Sequence, residues 1–355
     1  MIPSDIITEI LSRLPVKPIL RFRCVSKSWC SIIDSDDFIQ RHLRQSITTY
    51  SNHSIIYGYM LTGLRSIDVN SFDESYAVQS HAVQTPVDFL TSDYMSNSCN
   101  GLILVSAKPL LFLWNPFSRR KKILPSASTI EPTTEHSREL YGLGYNSRNN
   151  DYKIIRVVEF RNAAQQWINS KTEIYSLKLN SWKCVQSFPY PLPLSLGNLG
   201  IHVNGTLHAL VEDFSLVHSN TSIRIVCFSV EEEKRYELML PTYIPIENVK
   251  LELHMLRESL CLTSISKSRV DIWVMNGSEE SWSQLLSVSR TMIHPAPVPY
   301  SLMPLAYSNN GEVLIYLNAS FILYDLSRND FEFVVVSGLP MIVDPMVCIQ
   351  SLVCP

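Results

Sequence analysis

Five times along the 355 residues, an apolar run reaches an aromatic side chain, breaks at a short polar turn and resumes with a second aromatic. The pairs are Trp114 with Phe117, Tyr175 with Trp182, Phe228 with Tyr236, Trp273 with Trp282 and Tyr324 with Phe331. Segments such as TEIYSLKLNSWKCV and FILYDLSRNDFEFVVV read as β-hairpins, because aromatic and β-branched residues suit a half-buried pleated surface. The first aromatics of successive pairs lie 61, 53, 45 and 51 residues apart, and LRSIDVNSFDESYAV (64–78) is a weaker sixth copy. Further strands lie between the hairpins, in CNGLILVSA, YGLGYN with DYKIIRVVEF, GIHVNGTLHALVE, ESLCLTSIS and LAYSNNGEVLIYL. Asn-Gly turns are predicted at Asn100-Gly101, Asn204-Gly205 and Asn310-Gly311. Two strand pairs per period make a four-stranded unit, which cannot bury its faces alone and must stack on its neighbours.

A period near 50 residues is that of kelch-like propeller blades, and six copies would close a ring. The competing arrangement is an irregular β sandwich or a pair of barrels, since the period drifts and no copy carries a double glycine. The expected fold is therefore mostly β, preceded by a small α domain.

That α domain occupies the first 43 residues. Ser4 is predicted to cap a helix bearing Ile6, Ile7, Ile10, Leu11 and Leu14, which Pro15 stops. Pro18 would open a second helix with Ile19, Leu20 and Phe22, and Val25, Trp29, Ile32 and Ile33 share one face of a third. Asp36 would cap a fourth, through Phe38, Ile39 and Leu43. A segment this short rarely holds a core alone, so its excess apolar surface either covers the β domain or meets a partner.

The string PSDIITEILSRLPVKPILRFRCVSKSWCSIIDSDDFI resembles the F-box in its plant form, with Ile2-Pro3 where the family usually opens Leu-Pro. Ile is close to Leu in volume, so the exchange keeps the contact. The resemblance implies docking onto a Skp-family adaptor, and through it onto the cullin and RING subunits of an SCF ubiquitin ligase. Carried over by motif position, the contact residues are Ile2, Pro3, Ile6, Ile10, Leu14, Pro15, Leu20 and Val25, with Trp29 packing the last F-box helix against its neighbours. Behind it, SCNGLILVS, LFLWNPFSRRKKILP, YGLGYNSRNNDYKIIRV and CFSVEEEKRYELMLP are similar, in that order, to the plant F-box-associated interaction domain. The layout is that of plant F-box regulators of immune receptors and of S-locus F-box proteins. It implies an F-box over 1–44 and a substrate-recognition propeller over 50–355 that selects a protein target for ubiquitination. The alternative is a propeller that binds protein or carbohydrate outside any ligase, its helices serving as a cap.

Composition narrows the partners. With 18% charged residues and a net charge of −3, nothing favours nucleic acid or a charged membrane surface. No apolar run approaches the roughly 18–20 residues of a membrane span. Eight cysteines without a Cys-x-x-Cys pair suit a reducing compartment, so the chain is expected in the cytoplasm, the nucleus or both. No catalytic motif is present, and GLGYNS (142–147) lacks the third glycine of a dinucleotide loop. An enzyme is not expected, nor any cofactor or metal. His202 and His208 flank one hairpin but have no third ligand in reach by sequence. Arg119-Arg120-Lys121-Lys122 reads as an exposed strand with gatekeeping charge. Target contacts are expected in loops, at 128–138, 161–170, 186–198, 212–221, 242–249 and 289–300, with Tyr190, Tyr300 and Met303 on two proline-stiffened stretches.

Overall fold

Four helices come first: α1 (Ser4–Ser12), α2 (Val16–Phe22), α3 (Lys27–Ile33) and α4 (Asp36–Thr49). The computed structural model describes residues 3–59, 63–74, 77–86, 94–107, 109–127, 137–164, 166–189, 191–192, 199–213, 222–242, 244, 249–277, 281–289, 302–337 and 343–355. Two compact units divide the chain, and the first holds the helices with the rest of residues 1–93, residues 97–124 and residues 306–355.

Among the described residues the strands form six sheets, and the fold is a short helical module followed by a six-bladed β-propeller. In the second unit, three antiparallel meanders follow one another. The third sheet runs through Ser137–Asn146, Asp151–Arg161, Trp167–Ser176 and Ser181–Val185. The fourth has Ile201–Val203, Thr206–Asp213, Ser222–Ser229 and Lys234–Leu238, and the fifth Lys250–Leu256, Ser259–Ile265, Arg269–Asn276 and Ser281–Ser289. In the first unit, the second sheet pairs Ile103–Ala107, Leu110–Trp114 and Lys121–Ile123, and the sixth Val313–Leu317, Ser320–Asp325 and Asp330–Ser337. The first sheet joins both ends of the sequence. Its strand His53–Tyr59 lies between Gly63–Asp68 and the far strand Val343–Ile349.

All five predicted hairpins are the third and fourth strands of a sheet, but the paired aromatics face each other in only two. Tyr175 opposes Trp182, with ring centroids 5.3 Å apart, and Tyr324 opposes Phe331. Phe228 instead opposes Arg235, Trp273 opposes Gln284, and Phe117 lies in the turn. What the first aromatic marks is the turn geometry. Five residues beyond it the backbone is left-handed, at Arg119 (φ 60°), Asn180 (φ 52°), Glu233 (φ 56°) and Asn329 (φ 53°). Asparagine tolerates that conformation, and the Tyr175 hydroxyl donates to Asn180 Oδ1 at 2.6 Å, with Tyr324 and Asn329 paired in the same way. Tyr145 and Asn150 repeat the clasp in an inner hairpin, also at 2.6 Å.

Three other expectations are corrected or narrowed. After the one-turn helix Ser71–Glu74, the weak sixth copy leaves its own sheet: Ala77–Gln79 lies parallel to Val335–Ser337 of the sixth sheet, and His81–Val83 returns to the edge of the first. A turn does lie at Asn310-Gly311, closed by Gly311 N donating to Ser308 O at 3.1 Å, but only Gly311 has positive φ there, and the two-residue turn is the next one, Asn318-Ala319, where alanine hides the signal. Segment 161–170 is strand at both ends, at Arg161 and from Trp167 on, which narrows the expected loop to the residues between them. GLGYN is a packing motif, since a Cβ on Gly144 would come 2.5 Å from Val230 and one on Gly142 2.8 Å from Leu207 of the fourth sheet.

Candidate functional site

Local chemistry places the helix ends slightly differently from the sequence reading. Pro3, with φ −59° and ψ 145°, is the N-cap of α1, so Ser4 is its first helical residue. Pro15 precedes α2, which puts Pro18 in the first turn, where a missing N–H costs nothing. Ser26 caps α3 by accepting from Trp29 N at 3.1 Å, leaving Val25 ahead of the helix. Ser35 rather than Asp36 caps α4, accepting from Phe38 N at 3.3 Å. Asp36 and Asp37 then sit in the first turn, where the helix dipole favours them.

These ends sort the apolar residues into two sets. Leu11, Val16, Ile19, Ile33 and Phe38 form a dry core, with Leu14, Leu20, Phe22 and Trp29 packed against it. Trp29 meets Phe22 edge-on at 5.7 Å and so pins α3 to α2. The second set faces solvent: Ile6 is 51% exposed, Ile10 55% and Val25 60%, and Pro3 and Pro15 are exposed too. Ile6 and Ile10 are one turn apart on α1 and share a face. Ile2 lies outside the described residues. His42 of α4, fully buried, binds Leu14 O through Nε2 at 2.9 Å. Burial lowers its pKa, so the neutral ring donates and secures the end of α1.

The helical core has two members that the sequence reading missed. Leu352 is buried in it, and Phe117 packs against it. Both are held by Asn115, itself fully buried. Its Nδ2 donates to Ser351 O at 3.0 Å and to Val353 O at 2.9 Å, while its Oδ1 accepts from Phe117 N and Ser118 N. Ser351 Oγ donates to Asn100 O at 2.7 Å, and Gln350 N to Asn52 O at 2.7 Å. The available signal was the Asn-Pro step after a strand in WNPF, which favours an Asx-type turn.

On the expected target side, Tyr190 and Tyr300 lie outside the described residues, as do most of the 128–138, 212–221, 242–249 and 289–300 loops. Met303 is half-buried inside the strand Leu302–Tyr307 rather than on a loop. Of the expected segment 186–198, Phe188 and Leu192 are core residues, and Ser170 Oγ donates to Phe188 O at 2.6 Å. Arg138 Nη2 donates to Leu192 O at 2.7 Å, and Leu192 N to Glu159 Oε1 at 2.6 Å. Among the described residues no group of three His, Cys, Asp or Glu could hold a metal, and no helix is long and apolar enough to cross a membrane.

His202 and His208 sit one register step apart, and each has a backbone partner, Tyr145 N and Ile201 O respectively. Burial pushes both down to about 4. Their unfolded value is about 6.5, so between pH 6.5 and 4 the unfolded chain binds more protons than the folded one. The melting temperature is therefore expected to be whole above pH 6.5 and to fall as the pH drops toward 4. His208→Gln should flatten that decline in a pH series of thermal melts; a decline as steep as in the wild type would show that this histidine does not contribute.

The protein thus joins a helical module that shows aliphatic side chains to solvent to a β-propeller whose residues complete its core. Its two parts match known families in that order, the F-box domain over residues 1–41 and the F-box associated beta propeller domain over residues 56–336. The chain belongs to the plant F-box proteins that carry an F-box associated propeller. It is similar to the F-box/kelch-repeat protein At3g23880 of Arabidopsis thaliana, with 29% identity over 100% of this chain and 96% of that protein. F-box protein CPR1 of Arabidopsis thaliana is also 29% identical, over 99% of this chain and 88% of its own length. Among solved structures, an Aleuria aurantia lectin mutant in complex with α-methyl-L-fucoside aligns with a TM-score of 0.40 at 12% identity, over 81% of this chain and 97% of that one.

Proposed function

We propose that this protein is the substrate receptor of an SCF-type cullin-RING ubiquitin ligase. Its helices hold a Skp-family adaptor, which links it to cullin and RING subunits, and its propeller holds a protein target for ubiquitination. It acts as a non-catalytic adaptor, in the cytoplasm or nucleus. The observation that carries this reading is the exposure of Ile6, Ile10 and Val25 on a module whose other described aliphatics are buried or partly buried. Burying an aliphatic side chain fully is worth roughly 1.5–3 kcal/mol, so three of them half-buried at the start still supply several kcal/mol toward binding. Pro3 and Pro15 extend that surface. Leu14, Leu20 and Trp29 support it from beneath.

The helices also share a core with Leu352 and Phe117, which is what a simple cap of the propeller would do. The exposed set separates the two readings, because a cap has no use for it. In the full chain, Ile6→Asp with Ile10→Asp should weaken binding to a purified Skp-family adaptor at least 100-fold in calorimetry. The melting temperature should stay within a few degrees, since both positions are half exposed. Unchanged affinity would sink the adaptor reading and leave the cap.

A further inference from the structure

The adaptor-docking helices are completed by a segment some three hundred residues away. Residues 350–355 directly follow the strand Val343–Ile349, which pairs with His53–Tyr59 from His53↔Ile349 to Gly58↔Val343. From there the chain has one side in the sheets and the other in the helices. On the sheet side, Ser351 binds Asn100 O, and Asn115 binds the carbonyls of Ser351 and Val353. Gln350 Nε2 donates to Ser54 Oγ at 2.9 Å. On the helix side, Leu352 is buried with Leu11, Val16, Ile19, Ile33 and Phe38. Asn52, which receives Gln350 N, also donates to Ser46 Oγ of α4 at 3.0 Å.

We propose that Ser351, Leu352 and Asn115 are positioning residues for adaptor docking, so that the helices become fully competent only when Val343–Ile349 has joined the first sheet. The inference rests on the adaptor reading above. Its physical basis is the small size of the helical core: with so few members, losing Leu352 leaves a void that the short helices must collapse into, shifting α1 and α2 relative to each other. Adaptor binding and the pairing of the two distant strands are then coupled, and coupling free energy is reciprocal. A chain whose propeller has not closed would dock poorly, which ties delivery to the ligase to a finished target-binding domain.

Two measurements test this with the full chain and a purified Skp-family adaptor. Leu352→Asp should weaken adaptor binding at least tenfold, although Leu352 is absent from the exposed set, and Leu352→Met should restore most of it. In the wild type, saturating adaptor should slow amide hydrogen exchange in Val343–Ile349 and at Gln350 several-fold. That second readout needs no variant, so it stands even where Leu352→Asp fails to fold. No slowing on saturation, or wild-type affinity in a folded Leu352→Asp protein, overturns the proposal. Failure of the wild-type chain to bind any adaptor overturns the functional reading instead.

Discussion

Arg156→Met is expected to destabilise the protein by about 3–5 kcal/mol in urea denaturation, among the largest effects of any single substitution. Arg156 lies on the central strand of the third sheet with its side chain 5% exposed, and its Nη1 donates to Glu173 at 2.7 Å. Glu173 is fully buried, and Nη2 also pairs with Glu139. Burial opposes the guanidinium's charge, and the bonds to Glu139 and Glu173 outweigh that opposition, so its pKa is raised. Tyr141, opposite it in register, is pushed up to about 12 by burial and then by the Glu139 charge. Removing the cation leaves two carboxylates in an apolar sheet, where an unpaired charge costs far more than an intact pair contributes. The surface pair Arg224 and Glu237 is a control, since Arg224→Met should cost less than about 1 kcal/mol. A loss below 1 kcal/mol for Arg156→Met would mean that water reaches the cluster.

Gly101→Ala should cost about 3–5 kcal/mol, against about 1–2 kcal/mol for Gly311→Ala. Both glycines have positive φ, 83° and 84°, so the conformational strain of a side chain is shared. They differ in surroundings. Nothing lies within 4 Å of a Cβ on Gly311, whereas one on Gly101 would stand 2.6 Å from Ile349 O and closer still to Ser351 Oγ. To relieve that clash residues 349–351 must retreat, breaking the bond from Ser351 to Asn100 and loosening Asn115. Thermal melts of the two variants compare strain alone with strain plus clash. Equal losses would show that segment 349–351 is free to move aside.

The blade count was legible because hydrophobic alternation and turn residues act locally, and each hairpin carried its own signal. The aromatic pairs were legible as a period, but which of them face each other was not. In three hairpins the first aromatic faces the residue seven places on, so Trp182 and Phe331 meet their partners, whereas Tyr236, eight places after Phe228, falls opposite Cys227. The buried charges of DYKIIRVVEF were not legible. Nothing local separates Lys153, Arg156 and Glu159 from solvent-facing charges, and only their partners on other strands and turns, Glu233, Glu173 and Arg138, make burial tolerable. The exposed aliphatics of α1 were legible only through the resemblance, since spacing alone cannot divide Ile6 and Ile10 from Ile7 and Leu11. Leu352 and Asn115 were invisible for the plainest reason: 237 residues separate them, and no periodicity spans that gap.

The pairing of His53 with Ile349 has a mechanical side. The helices and segment 350–355 leave the first sheet at the same end of two neighbouring antiparallel strands. A tug between them would load the Asn52–Gln350 hydrogen bond first and unzip the strands rung by rung, a weaker arrangement than shear across all rungs together. Leu352 intercepts that load, because its seat among the helices holds both strands' outgoing chains side by side. Force applied through the helices thus reaches the propeller as compression of packed side chains rather than tension on one hydrogen bond.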